Sequence, residues 1–152
     1  VVILGAVVLG PLRGTILGLV WGVTCLLYAF MNGTADAVIF LNPMISVVPR
    51  ILVGLAAGWY YRGFRRLLSR TKWGEVAAAG ITGVLATLTN TVLVLSAISI
   101  FGGATATLGA TLMTIIETAF ALNGVVETVL ALIVVPAVSR PLLKLMQRYK
   151  EA

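Results

Sequence analysis

An all-α integral membrane protein is the fold class this sequence predicts, and three observations carry that reading. Of its 152 residues 60% are hydrophobic and only 11% are charged. The mean hydropathy is +1.08, which is more apolar surface than a soluble domain of this size can cover. The apolar residues come in runs close to the ~20 residues that cross a bilayer as a helix, separated by short polar or basic stretches.

The segments follow in order. Val1 to Gly10 is apolar but too short for a full span, and Pro11-Leu12-Arg13-Gly14 is expected to stop it. Thr15 to Asn32 forms the second segment, followed by a polar loop, Gly33 to Asn42, that contains Asp36. The third runs from Pro43 to about Tyr61 and ends in the basic stretch Arg62 to Lys72. A fourth, about Glu75 to Phe101, is long enough to tilt, and it leads into a Gly/Ala/Thr-rich loop from Gly102 to about Thr111. The fifth covers about Leu112 to Val138, after which Arg140, Lys144, Arg148 and Lys150 close the chain.

Arginine and lysine favour the cytoplasmic side, so the Arg62 to Lys72 cluster and the C-terminal tail are both expected inside, with two crossings between them. Counting backward puts Arg13 inside and Val1 outside, with no start signal ahead of Val1. That topology predicts a six-helix protein seen from its second helix onward.

Several function classes are excluded by what the chain lacks. It has no histidine, which removes imidazole metal sites, Ser-His-Asp triads and histidine proton relays. Its single cysteine, Cys25, cannot form an internal disulfide and sits in an apolar run. The net charge of +6 comes from residues at the ends of apolar segments, where orientation explains them better than nucleic acid does. There is no Gly-x-x-x-x-Gly-Lys-Ser/Thr phosphate loop, so ATP hydrolysis would fall to partners. Paired carboxylates at metal-ligand spacing are missing as well, which leaves a membrane enzyme without its acid/base constellation.

Glycine spacing speaks to packing. Gly14, Gly18 and Gly22 recur every four residues, as do Gly54 and Gly58, and Ala79 and Gly83 repeat the small-x-x-x-small pattern. Such ridges let helix backbones approach closely.

The polar residues are more informative about function. Arg50 lies one or two turns inside an apolar stretch, roughly 10 Å below the outer end of its helix at ~1.5 Å per residue. An unpaired guanidinium there costs several kcal/mol, roughly, so it is expected to face a bundle interior or a cavity. Ser46 is one turn away, and Asn42 sits at the loop junction. On the fourth segment Thr87, Asn90 and Thr91 share one face; the fifth carries Asn123 and Glu127 one turn apart. Convergence of the three faces would make one pocket open to the outside, suited to a small anionic solute bearing hydroxyl or amide groups. The competing reading makes the threonines interhelical glue and Arg50 with Glu127 a structural ion pair.

The order of short apolar helix, Pro-Leu-Arg-Gly turn, Gly-rich helix, then Phe40-Leu41-Asn42-Pro43 through Pro49-Arg50-Ile51-Leu52-Val53-Gly54-Leu55 resembles the substrate-binding S-components of energy-coupling factor (ECF) vitamin transporters. Leu88-Thr89-Asn90-Thr91-Val92-Leu93-Val94-Leu95 and Asn123-Gly124-Val125-Val126-Glu127 are most similar to the pantothenate-specific branch. The resemblance covers essentially the whole chain. It implies a six-helix S-component-like bundle whose first helix is missing here, forming a single transmembrane substrate-binding domain over residues 1–152.

The activity implied is capture of a vitamin, pantothenate first, at the outer face. Release inside would follow reorientation with a transmembrane coupling subunit (EcfT-like) and two cytoplasmic ATPases, with no cofactor and no catalysis by this chain. The implied location is the cell membrane, with lipid around a multi-pass chain and a cytoplasmic C-terminus. Family members dock on the coupling subunit partly through small residues of the first helix, which is absent here. The substrate-binding set expected is Asn42, Ser46, Arg50, Thr87, Asn90, Thr91, Asn123 and Glu127. The alternatives are an S-component for folate, cobalamin or a pyridoxine-like compound, and a structural membrane subunit without a ligand.

Overall fold

A computed structural model describes residues 1–32, 39–70, 73–101 and 125–151. Among them every regular element is a helix: α1 (Val2–Leu9), α2 (Pro11–Asn32), α3 (Pro43–Ser46), α4 (Val48–Leu67), α5 (Gly74–Phe101) and α6 (Val125–Glu151). Three described stretches, Pro11–Asn32, Pro43–Leu67 and Gly74–Phe101, are long and apolar enough to cross a bilayer, and Thr128–Leu143 is a shorter apolar one. The all-α membrane class predicted from the sequence is what the chain adopts.

The break between α1 and α2 is tighter than the Pro-Leu-Arg-Gly turn expected. Gly10 alone makes it, at φ 92°, a conformation that side chains with a Cβ avoid. Its N–H donates to Ala6 O, and its own carbonyl already accepts from Gly14 N–H at 3.0 Å. Pro11 then opens α2, where its missing N–H costs nothing.

Two other helices outlast their apolar runs. α4 continues past Tyr61 to Leu67 and ends on Arg65 and Arg66, whose charges complement the helix C-terminus. α6 runs through Pro136, past Val138 and on through Pro141 to Glu151. Leaving the apolar layer does not require leaving the helix. Residues 112–124, the start of the expected fifth segment, lie outside the described residues.

α2 and α4 run antiparallel, and the glycines set their separation. A Cβ on Gly14 would sit 2.7 Å from Gly54 O, and one on Gly22 would sit 2.7 Å from Val47 Cα. Between them a Cβ on Gly18 would meet the carbonyl oxygen of Arg50. Each turn forward along α2 thus matches one turn back along α4, with backbone against backbone, the close van der Waals approach on which association in lipid depends. On α5, Gly83 approaches the carbonyl of Ala131 on α6 in the same way.

α4 packs on α5, α5 on α6, and α1 fills the space against α2, α4 and α6. The core is correspondingly small-residue. One cluster joins Val7, Tyr61, Ala78, Ala79 and Val135, and another joins Ala6, Val53, Ala57 and Ala86. Large apolar side chains such as Leu12, Leu27, Phe30 and Ile133 point outward, as lipid allows.

Charge separates along the bundle. Arg65 pairs with Glu75 across the α4–α5 connection at 2.7 Å, and Arg140 lies over the ring of Trp73 at 5.3 Å. Pro11 touches Gly58 and Arg62 approaches Gly10, so Arg13 belongs to this same end. Arg50 stands toward the other end, where Asn42 caps α3 by accepting from Met44 N–H at 3.0 Å. Asn42→Ala removes this cap and should cost about 1 kcal/mol, read as a thermal unfolding midpoint a few degrees lower in detergent.

Candidate functional site around Arg50

The surroundings of Arg50 follow from its neighbour in sequence. Pro49 has no N–H, so the carbonyl of Ile45, four residues back, loses its helical donor and the helix is interrupted at Val47. Arg50 Nη1 donates to that Ile45 carbonyl at 2.7 Å. In a membrane a carbonyl freed by proline must find another donor, and a buried guanidinium must find acceptors. Each supplies the other.

One carbonyl does not satisfy five N–H groups. Arg50 is 8% exposed, and its Nε has no hydrogen-bond partner among the described residues. The rings of Trp21 on α2 and Phe40 ahead of α3 each lie 5.6 Å from the guanidinium carbon. These cation–π contacts, about 0.5–2 kcal/mol each, hold the charge in place while adding no hydrogen-bond acceptor. Arg50 is one of the residues lining a cavity of about 350 Å³, with Trp21, Thr24, Cys25, Tyr28, Ala29 and Phe40. None of these walls is acidic. The size suits a small molecule, and a buried cation with no counter-ion among the described residues calls for an anion.

The remaining residues of the expected set are placed as follows. Ser46 is fully buried, and its hydroxyl donates to Asn42 O at 3.2 Å. With Asn42 it builds the α3 turn that carries Arg50. On α5, Thr87 donates to Gly83 O at 2.9 Å and Thr91 to Thr87 O at 3.2 Å. Thr87 lines a second cavity, about 310 Å³, between α1 and α6. Asn90 follows Ala86 by one turn, and its Oδ1 is buried without a partner among the described residues. Glu127 falls in the first turn of α6, while Asn123 lies outside the described residues.

The cavity beside Arg50 thus has its walls on α2 and the Phe40 segment, with no α5 residue among them. Sequence reasoning missed that α2 wall. A signal was available: Trp21, Thr24, Cys25 and Tyr28 recur at i, i+3, i+4 and i+7 and so share one helical face. It also missed the hydroxyl pair of Tyr60 and Thr89, 3.2 Å apart, which ties α4 to α5.

Comparison with known proteins adds the following. The family model described as "ECF transporter, substrate-specific component" matches residues 1–139. The pantothenic acid transporter PanT of Lactococcus lactis subsp. cremoris is 31% identical over 157 aligned positions, which cover 94% of this chain and 74% of that protein. The pantothenate transporter PanT of Leuconostoc mesenteroides subsp. mesenteroides is 37% identical over 93 positions, covering 60% of this chain and 44% of that protein.

Proposed function

Because the chain belongs to the substrate-specific component family of ECF transporters, we propose that it captures pantothenate at the outer face of the cell membrane and delivers it inward with partner subunits. The single observation that carries the ligand class is Arg50: buried, 5.6 Å from each of two ring centroids, and with its Nε short of an acceptor among the described residues. Pantothenate offers a carboxylate for the guanidinium, and its amide and hydroxyls suit Asn90, Asn123 and Glu127. Asn42, Ser46, Thr87 and Thr91 hold this polar region together and complete the assigned set. The names of the two relatives agree with this substrate.

The partners in this reading are a transmembrane coupling subunit and two cytoplasmic ATPases, which supply the phosphate-binding loops that the chain lacks. This subunit itself carries no catalytic activity. The decisive measurement is twofold. Pantothenate titrated into the purified protein should bind saturably, and vesicles should accumulate it only when the coupling subunit and ATPases are reconstituted with the chain. Absence of binding, or ATP-driven uptake by the chain alone, would overturn the proposal.

The gathering of Arg13, Arg62, Arg65 and Arg140 at one end supports a cytoplasmic location for that end and for the C-terminus. In a Cys25→Ser background, Ala35→Cys should react with an impermeant thiol reagent added to intact cells, and Ser69→Cys should react only after permeabilisation. Labelling of position 69 from outside would reverse the orientation.

A further inference from the structure

Every lysine and arginine except Arg50 lies at position 13, in 62–72 or in 140–150, with only Glu75 and Glu151 to oppose them at that end. The fold gives part of this charge a definite place. α2 begins at Pro11, against Gly58 of α4, whereas α4 runs on to Leu67. The face of α4 that meets α2 through Gly54 and Gly58 therefore continues for about two turns past the break at Gly10, and it carries Arg62 and Arg66 there at the same four-residue spacing. We propose that this notch below the α1–α2 break binds the phosphate of an anionic phospholipid, with Arg62 and Arg66 as its ligands and the acyl chains running along Leu12 and Ile16 of α2.

Three observations carry this. Among the described residues neither arginine pairs with a carboxylate or makes a hydrogen bond, whereas Arg65 is held by Glu75 and Arg140 by the ring of Trp73. Like charges one helical turn apart repel, so an anion between them stabilises the arrangement. Arg62 also lies across the break itself, since a Cβ on Gly10 would sit 3.4 Å from its Nη2. Its guanidinium is thereby placed at the foot of α2. Finally, Leu12 and Ile16 are exposed on α2 directly above the notch, and Trp73, exposed at the same end, is a residue type that marks the headgroup level. An acidic segment of a partner protein would answer the two charges alone. A phospholipid answers the charges and covers the apolar side chains beside them.

The test uses the purified chain in a neutral detergent, titrated with dioleoyl phosphatidylglycerol or with dioleoyl phosphatidylcholine, bound lipid being counted by native mass spectrometry. Phosphatidylglycerol should fill one site at least about tenfold more tightly than phosphatidylcholine. Arg62→Gln/Arg66→Gln should lose this preference. Arg148→Gln/Lys150→Gln, which removes the same net charge elsewhere, should keep it within about twofold. Lipid-free unfolding midpoints should differ little among these proteins, because the substituted side chains lie on the surface. Glycerophosphoglycerol, the same headgroup without acyl chains, should displace the lipid only at about a hundredfold higher concentration or more.

Equal affinity of wild type for the two lipids overturns the proposal. An equal loss in both double variants does so too, because the lipid is then drawn by the general positive field of this end and not by the notch. Displacement by polyglutamate at concentrations where glycerophosphoglycerol has no effect assigns the notch to an acidic protein segment and overturns the lipid. If Arg62→Gln/Arg66→Gln does not fold, these two competitors against wild type decide alone. The outcome is independent of which solute the chain captures.

Discussion

Arg50→Ala should weaken pantothenate binding by about ten- to a hundredfold or more, because a charge-assisted hydrogen bond to a carboxylate is worth about 1.5–3 kcal/mol and each 1.4 kcal/mol is tenfold. The change has two components. It removes the anion's partner, and it strands the Ile45 carbonyl that Pro49 cannot serve. Arg50→Lys separates them. An ammonium keeps the charge and can still reach one acceptor, but it lacks the planar fork that serves a carbonyl and a carboxylate together, so an intermediate loss is expected. Calorimetry on both variants, with thermal unfolding as the control for folding, checks this. Unchanged affinity in a well-folded Arg50→Ala protein would leave Arg50 a structural charge that only mends the helix break.

Gly18→Ala is expected to damage both the fold and binding, although it adds a single methyl group. The new Cβ would collide with the carbonyl oxygen of Arg50, and it would lie 2.8 Å from that carbonyl carbon. Backbone cannot swing aside as a long side chain can, so α2 and α4 must separate. Overpacking of this kind costs about 1–3 kcal/mol, and Gly18→Leu should prevent the pairing of α2 with α4 altogether. Because the atoms displaced belong to Arg50 itself, affinity should fall together with stability. Gly63→Ala is the control: nothing lies within 4 Å of its new Cβ, and the better helix former should leave the unfolding midpoint unchanged or slightly raised. Equal midpoints for Gly18→Ala and Gly63→Ala would sink the close-packing account.

Much of the fold was legible because hydropathy and glycine period act locally. The runs around α2, α4 and α5 stand out by length, and the four-residue spacing of Gly14, Gly18 and Gly22 marked the face that meets α4. Helix ends were less legible. Tyr61 and Val138 mark where apolar composition stops, whereas the ends at Leu67 and Glu151 depend on backbone bonding, which charged residues sustain equally well. At the site, Arg50 stood out because a charge in an apolar run is conspicuous. Its α2 wall did not, because Trp21, Cys25 and Tyr28 are the residue types that lipid-facing helices also carry. Only the antiparallel register set by the glycines brings that face of α2 opposite Arg50. Pro49 was visible throughout, but its effect on Ile45 shows only when the carbonyl's replacement donor is seen.

The isolation of Arg50 from any described carboxylate has an electrical consequence. In the proposed orientation Arg50 carries one positive charge with no counter-ion among the described residues, and a bound carboxylate cancels it. Moving the loaded site inward therefore transfers no net charge, and an inside-negative membrane potential does not oppose uptake of the anion, although it would repel the free ligand by about 2.3 kcal/mol per 100 mV. The return stroke is the voltage-sensitive one, since the bare guanidinium must climb outward against the same potential. An arginine with no counter-ion among the described residues thus moves the work of anion accumulation from the loaded step to the resetting step, where ATP hydrolysis by the proposed partner subunits would drive it.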